Sequence, residues 1–88
     1  GNEYFSIDCL PPVGEEGKTI PLYFKANENG EQTIVATDLD LVPNVEVVLE
    51  DTKLNLLQNL NKKPVYTFNA VTYANPARFV LHLNRSVN

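Results

Sequence analysis

Chemistry in a protein needs a nucleophile, an acid or base, or a metal-binding cluster, and this sequence offers few of each. His82 is the only histidine, Cys9 the only cysteine, and Ser6 and Ser86 the only serines. A catalytic histidine needs a nucleophile to serve or a carboxylate to orient it. His82 alternates away from Leu81 and Leu83, so it is expected on the solvent side of a strand. Cys9 falls in phase with Phe5 and Ile7, which reads as a small core thiol. Its neighbours Asp8 and Leu10 do not make the electropositive setting that lowers a thiol pKa. One histidine and one cysteine also cannot complete a zinc site, which takes about four ligands.

The carboxylates form three clusters: Glu15-Glu16, Asp38 with Asp40, and Glu50-Asp51. Asp38 and Asp40 could give two oxygens to calcium, but the glycine-containing Asp-x-Asp-x-Asp calcium loop is absent. Solvated turn residues are the simpler reading. The chain has no Gly-x-Ser-x-Gly elbow and no glycine-rich phosphate loop. Asn84-Arg85-Ser86 matches a glycosylation acceptor by three residues only. The tyrosines Tyr4, Tyr23, Tyr66 and Tyr73 are the remaining resource. Tyr23 and Tyr73 are the candidates for an exposed binding patch, set against the simpler account of rings in the core with hydroxyls at the surface. These residues support neither an enzyme nor a cofactor.

Composition narrows the partners further. The 88 residues carry seven basic and 11 acidic side chains, for a net charge of -4. The basic residues are scattered, with only Lys62 and Lys63 adjacent. Nucleic-acid binding needs a clustered basic face that releases counterions, so it is not expected. No apolar run is long enough for a membrane-spanning helix. A lone cysteine leaves the redox compartment open. No signal peptide opens the chain, and Gly1 reads as a tag scar on a segment internal to a longer protein. The expectation is one domain over residues 1–88, long enough to bury one core.

The elements that must position these residues are strands. Turn-formers recur every eight to twelve residues, at Pro11-Pro12, Gly14 to Gly17, Asn29-Gly30, Pro43-Asn44, Asn61 to Pro64 and Ala74-Asn75-Pro76. Between them, seven strands are expected near residues 3–10, 18–26, 31–38, 44–50, 53–58, 64–71 and 78–84. Period-two alternation puts Ile20, Leu22 and Phe24 on one face. It does the same for Val45, Val47 and Leu49, for Tyr66, Phe68 and Ala70, and for Phe79, Leu81 and Leu83. The third strand is ambiguous, because Ile34 and Ala36 oppose Val35 and Thr37. Leu54, Leu57 and Leu60 have helical spacing, but the flanking turns favour a strand between two hairpins. Asn29-Gly30 predicts another hairpin turn. The fold class expected is an all-β, seven-stranded antiparallel immunoglobulin-like β-sandwich, with a small barrel as the alternative.

Several segments, taken in order, carry a family resemblance. They are Ile20-Pro21-Leu22-Tyr23-Phe24-Lys25-Ala26, Thr33-Ile34-Val35-Ala36-Thr37, Val48-Leu49-Glu50-Asp51-Thr52, Pro64-Val65-Tyr66-Thr67-Phe68-Asn69-Ala70 and Ala77-Arg78-Phe79-Val80-Leu81-His82-Leu83. Their order and spacing resemble a β-sandwich module from the C-terminal region of secreted and cell-surface proteins of Bacteroidetes-type bacteria. That module often precedes a type IX secretion sorting domain. Two departures stand out: Ala74-Asn75-Pro76-Ala77 replaces an acidic loop, and Leu54-Asn55 replaces a Thr-Gly turn. The resemblance implies a noncatalytic accessory unit, exported or surface-bound, whose partners are flanking domains of the same polypeptide. A glycan- or protein-binding module is the alternative. Within the shared segments, Arg78 is expected to pair with Glu50 or Asp51 as a structural latch, weak if exposed.

Overall fold

The computed structural model describes residues 3–7, 14, 16–25, 28–37, 44–72 and 76–85, with the side chains of residues 3–5 excepted. Seven strands form: β1 (Glu3–Ile7), β2 (Lys18–Leu22), β3 (Gly30–Ala36), β4 (Val45–Asp51), β5 (Leu56–Asn59), β6 (Val65–Ala70) and β7 (Phe79–Arg85). They make a three-stranded sheet in the order β1-β3-β6 and a four-stranded sheet in the order β2-β7-β4-β5.

Alternation explains which side chains meet between the sheets. Ile34, Ala36, Tyr66, Phe68 and Ala70 point inward from the first sheet, and Val47, Leu49, Phe79, Leu81 and Leu83 from the second. All are buried. The ambiguous third strand thus turns its Ile34 face inward. Each of the larger apolar side chains contributes roughly 1.5–3 kcal/mol on burial. The Phe68 and Phe79 rings meet edge to face across the two sheets, with centroids 4.7 Å apart. Phe24 adds an edge against Phe68 at 5.2 Å. Such geometry sets the positive rim of one ring against the negative face of the next.

The connectivity corrects the fully antiparallel, immunoglobulin-like expectation. β1 pairs with β3 in parallel, so the first sheet is mixed. An immunoglobulin arrangement would group the first, second, fourth and fifth strands. Here the second, fourth and fifth lie with the seventh. The physical reason is the crossing: the chain leaves the first sheet to form β2 and returns to form β3. A crossover, unlike a hairpin, can lay two strands side by side in parallel.

The same crossing overturns the hairpin at Asn29-Gly30. β2 and β3 belong to different sheets, and Gly30 opens β3 with φ at 136°. The Asn29 side chain instead accepts a bond from the Thr72 amide at 2.8 Å, tying this corner to the end of β6. The β4–β5 hairpin does form, through residues 52–55, with Asn55 at φ 55° in the left-handed region. A short polar side chain tolerates that region better than most. The second hairpin expected after β5 is absent, because β6 joins the other sheet. Asn59 organises that crossing: its side chain accepts from the amides of Asn61 and Lys62, and its carbonyl from that of Lys63.

Asn61 then continues the β4–β5 ladder with its side chain. Its Oδ1 accepts from the Val47 amide at 2.7 Å, and its Nδ2 donates to the Val45 carbonyl at 3.3 Å. A side-chain amide has the same donor and acceptor as a peptide group, so it can stand in for one.

Candidate functional site

Glu50 and Asp51 are consecutive on β4, so their side chains leave opposite faces of the sheet. Asp51 continues the inward series of Val47 and Leu49 and is 1% exposed. Its cross-strand neighbour on β7 is Phe79, which places Arg78 beside its carboxylate. Arg78 donates from Nε to Oδ1 at 2.8 Å and from Nη2 to Oδ2 at 2.7 Å. Tyr66 donates its hydroxyl to Oδ2 at 2.5 Å, and the Lys53 amide donates to Oδ1 at 3.1 Å. Each carboxylate oxygen therefore accepts two bonds, which fills its lone-pair sites.

The arginine is equally committed. Its Nη1 donates to the Asn69 carbonyl at 3.0 Å. Its guanidinium carbon lies 4.9 Å from the Phe68 ring centroid and 5.0 Å from that of Phe79. Arg78 lends its own carbonyl to the Thr52 amide at 3.0 Å and to the Thr52 hydroxyl. The cluster clamps the β4–β5 turn, β6 and the start of β7 together.

Burial alone would push the Asp51 carboxyl up; the Arg78 and Tyr66 hydrogen bonds and the Arg78 charge outweigh it and hold the group below its ordinary value. Burial pushes the Tyr66 phenol up to about 12, helped by the hydrogen bond to Asp51 and its negative charge. The Asp51 hydrogen bond raises Arg78 above its already high value, against the opposing effect of burial. A carboxylate with no lone pair to spare has none for a metal or a substrate proton. Of the two acids expected to pair with Arg78, the structure brings Asp51 to it, and the pair is buried rather than exposed.

Glu50 does not take part, although it shares the expectation with Asp51. It faces outward, where its Oε1 lies 2.8 Å from His82 Nε2, each side chain about one-third exposed. The histidine thus sits on the outer face as expected and has an orienting carboxylate. The shallow groove around the pair is lined by Glu46, Val48, Asn55, Leu57 and Asn84, with no serine, threonine, cysteine or lysine among them. Ser6 is on β1 in the other sheet.

Tyr23 is 76% exposed just beyond β2, at the mouth of a narrow apolar slot between β1 and β2. Tyr66 corrects the expectation of hydroxyls at the surface, since its own is buried on Asp51. Tyr73, Cys9, Asp38, Asp40, Glu15 and Ser86 lie outside the described residues, as does the Tyr4 side chain. Among the described residues, no three histidine, cysteine or acidic side chains converge on a metal position. No helix among them is long and apolar enough to cross a membrane.

Two contributors escape a reading by residue type. Gln58 donates from Nε2 to the Lys63 and Val65 carbonyls, at 2.9 and 2.8 Å, and so ties β5 to β6. Gln32 is fully buried on the same face of β3 as Ile34, with neither amide atom hydrogen-bonded among the described residues. Alternation along β3 signals its inward direction; nothing in the sequence signals its want of a partner. Compared with known proteins, the chain matches no family model, no curated protein and no solved structure.

Proposed function

We propose that the chain is a noncatalytic β-sandwich module, a spacer or docking unit within a larger exported or surface-bound bacterial protein. The observation that carries this reading is the saturated Asp51–Arg78–Tyr66 cluster. It commits the chain's most chemically capable buried side chains to holding three segments together. The envelope of 42 × 20 × 19 Å also suits a unit that sets distance between neighbours. The family resemblance supplies the exported setting and the flanking domains.

The test is the mass and peptide map of the native polypeptide that contains this segment. A much longer chain with domains on either side is expected. A mature protein of about this size would remove the spacer role, since there would be nothing to space.

A binding module is the second reading, favoured by the exposed Tyr23 ring beside the apolar slot. A glycan array with the wild-type protein and its Tyr23→Ala variant tests it. Signal that disappears in the variant would support a carbohydrate site, and a blank array would count against one.

A further inference from the structure

The side of the sandwich bounded by β5 and β6 has two sheet edges, and they are treated differently. On β6, the bond from the Ala36 amide to the Pro64 carbonyl sets the phase of the ladder. The peptide groups of Val65, Thr67 and Asn69 then face away from β3, because paired and unpaired positions alternate. Gln58 occupies the Val65 carbonyl, and Arg78 occupies that of Asn69. Gln58 from β5 and Arg78 from just before β7 thus cover the carbonyls at the two ends of that edge, and the Thr67 amide and carbonyl between them have no partner among the described residues.

β5 has no such side-chain cover. The bond from the Leu60 amide to the Val47 carbonyl sets its phase, so Leu56 and Gln58 pair with β4 while Leu57 and Asn59 face outward. The Asn59 carbonyl is taken by the Lys63 amide. The amide and carbonyl of Leu57 and the amide of Asn59 have no partner among the described residues. Leu54, Leu56 and Leu57 are 52%, 48% and 68% exposed around them. The strand itself, Leu-Leu-Gln-Asn, has no charge and no proline. By contrast β2, the opposite edge of the same sheet, carries Lys18 and Pro21, which blunt it.

Charge indicates what would cover the open edge. Lys53 precedes β5, and Lys62 and Lys63 follow it; all three are exposed, and none forms an ion pair among the described residues. They bracket the apolar strand with positive charge in a chain that is negative overall. A second copy would fit poorly, since antiparallel pairing of two β5 strands would bring Lys53 of each toward Lys62 and Lys63 of the other. Lysines near an edge can also deter pairing, but here they stand at its ends and leave the strand bare.

We infer that β5 docks an extended segment of a partner protein, apolar at its centre and acidic at both ends, which adds to the sheet as a fifth strand. The inference gives a partner class to the docking half of the function proposed above, and it rests on that half alone.

The test is a titration of the isotope-labelled protein, followed by amide NMR, with a short synthetic peptide of valine-rich centre and glutamate ends. The control peptide has the same centre with lysine ends. Binding is expected to shift the Leu57 and Asn59 amides, with the lysine-ended peptide at least about tenfold weaker. Leu57→Pro removes an outward donor that β4 does not use, and should cost about tenfold in affinity. The surface variant Lys62→Glu/Lys63→Glu should do the same without altering the fold.

Equal binding of the two peptides, shifts confined to β1 and β2, or no binding at millimolar peptide would overturn the inference. So would dimerisation that shifts the Leu57 amide on dilution, which would make a second copy the occupant. A failed titration leaves the spacer role standing, because that role is tested by the mass of the native polypeptide.

Discussion

The two faces of β4 make different use of neighbouring carboxylates. Asp51 is 1% exposed and accepts four hydrogen bonds; Glu50, one residue earlier, is half-buried and faces a single histidine. Both carboxylates make close contacts, of 2.7 and 2.8 Å, so distance does not distinguish them. Solvent does. Water competes for the outer pair and screens it, which limits such pairs to about 0–1 kcal/mol. The inner pair has lost its water, so each charge depends on the other, and removing either leaves an uncompensated buried ion.

The largest effect should therefore come from Asp51→Ala or Arg78→Met, each costing about 3–5 kcal/mol in urea denaturation. The double variant Asp51→Leu/Arg78→Met should lose much less than the sum, because it strands no charge. If it is as unstable as both singles combined, the two residues are not coupled and each acts through its other contacts. The same carboxylate sets an acid limb. Its folded pKa lies below its unfolded value, so its contribution is complete above about pH 4 and fades as the pH falls through the folded pKa. Asp51→Asn should flatten that limb, as measured by stability against pH.

Next in size is an alkaline limb from Tyr66. Its folded pKa, about 12, lies above the unfolded value of 10.0. The folded state thus holds the phenolic proton more tightly, and stability falls as the pH rises from about 10 to 12. Two pKa units correspond to about 2–3 kcal/mol. Tyr66→Phe should lower stability at neutral pH and abolish this dependence; a variant with the wild-type alkaline profile would show that another group titrates there.

Gln32 sharpens the comparison from the opposite direction. It is as buried as Asp51, yet its amide has no hydrogen-bond partner among the described residues. Gln32→Met keeps the shape and removes the unsatisfied groups, and should stabilise the protein by about 1–2 kcal/mol. A loss of stability, read by thermal denaturation, would mean that the amide is satisfied in solution. The smallest effect belongs to the outer pair: Glu50→Gln should change stability by less than about 1 kcal/mol at neutral pH.

Much of this arrangement was legible from period-two alternation. It placed Val47 and Leu49, Tyr66 and Phe68, and Phe79, Leu81 and Leu83 on the inward faces they occupy. Carried one residue past Glu50, the same alternation separates the two acids, putting Asp51 inside and Glu50 out. A strand that ends at residue 50 hides that separation and leaves both acids as candidates for Arg78, whereas β4 runs on to Asp51. The role of Asn61 was hidden for another reason. An asparagine after a strand reads as a turn residue, and only the position of β4 turns its amide into a ladder rung.

Sheet membership was not legible locally at all. Asn29-Gly30 and Asn61 to Pro64 look like hairpin turns because those residues tolerate sharp reversals, whether the chain returns along the same sheet or crosses to the other. The sequence by itself determined the strands, their inward faces and the scarcity of reactive groups, because these follow from side-chain chemistry and a two-residue repeat. The tertiary structure alone decided that β1 runs parallel to β3, that Tyr66 meets Asp51, and that side chains cap two outward carbonyls of β6 but none of β5. Those features depend on which distant segments come to lie side by side, and no local preference of the chain encodes that choice.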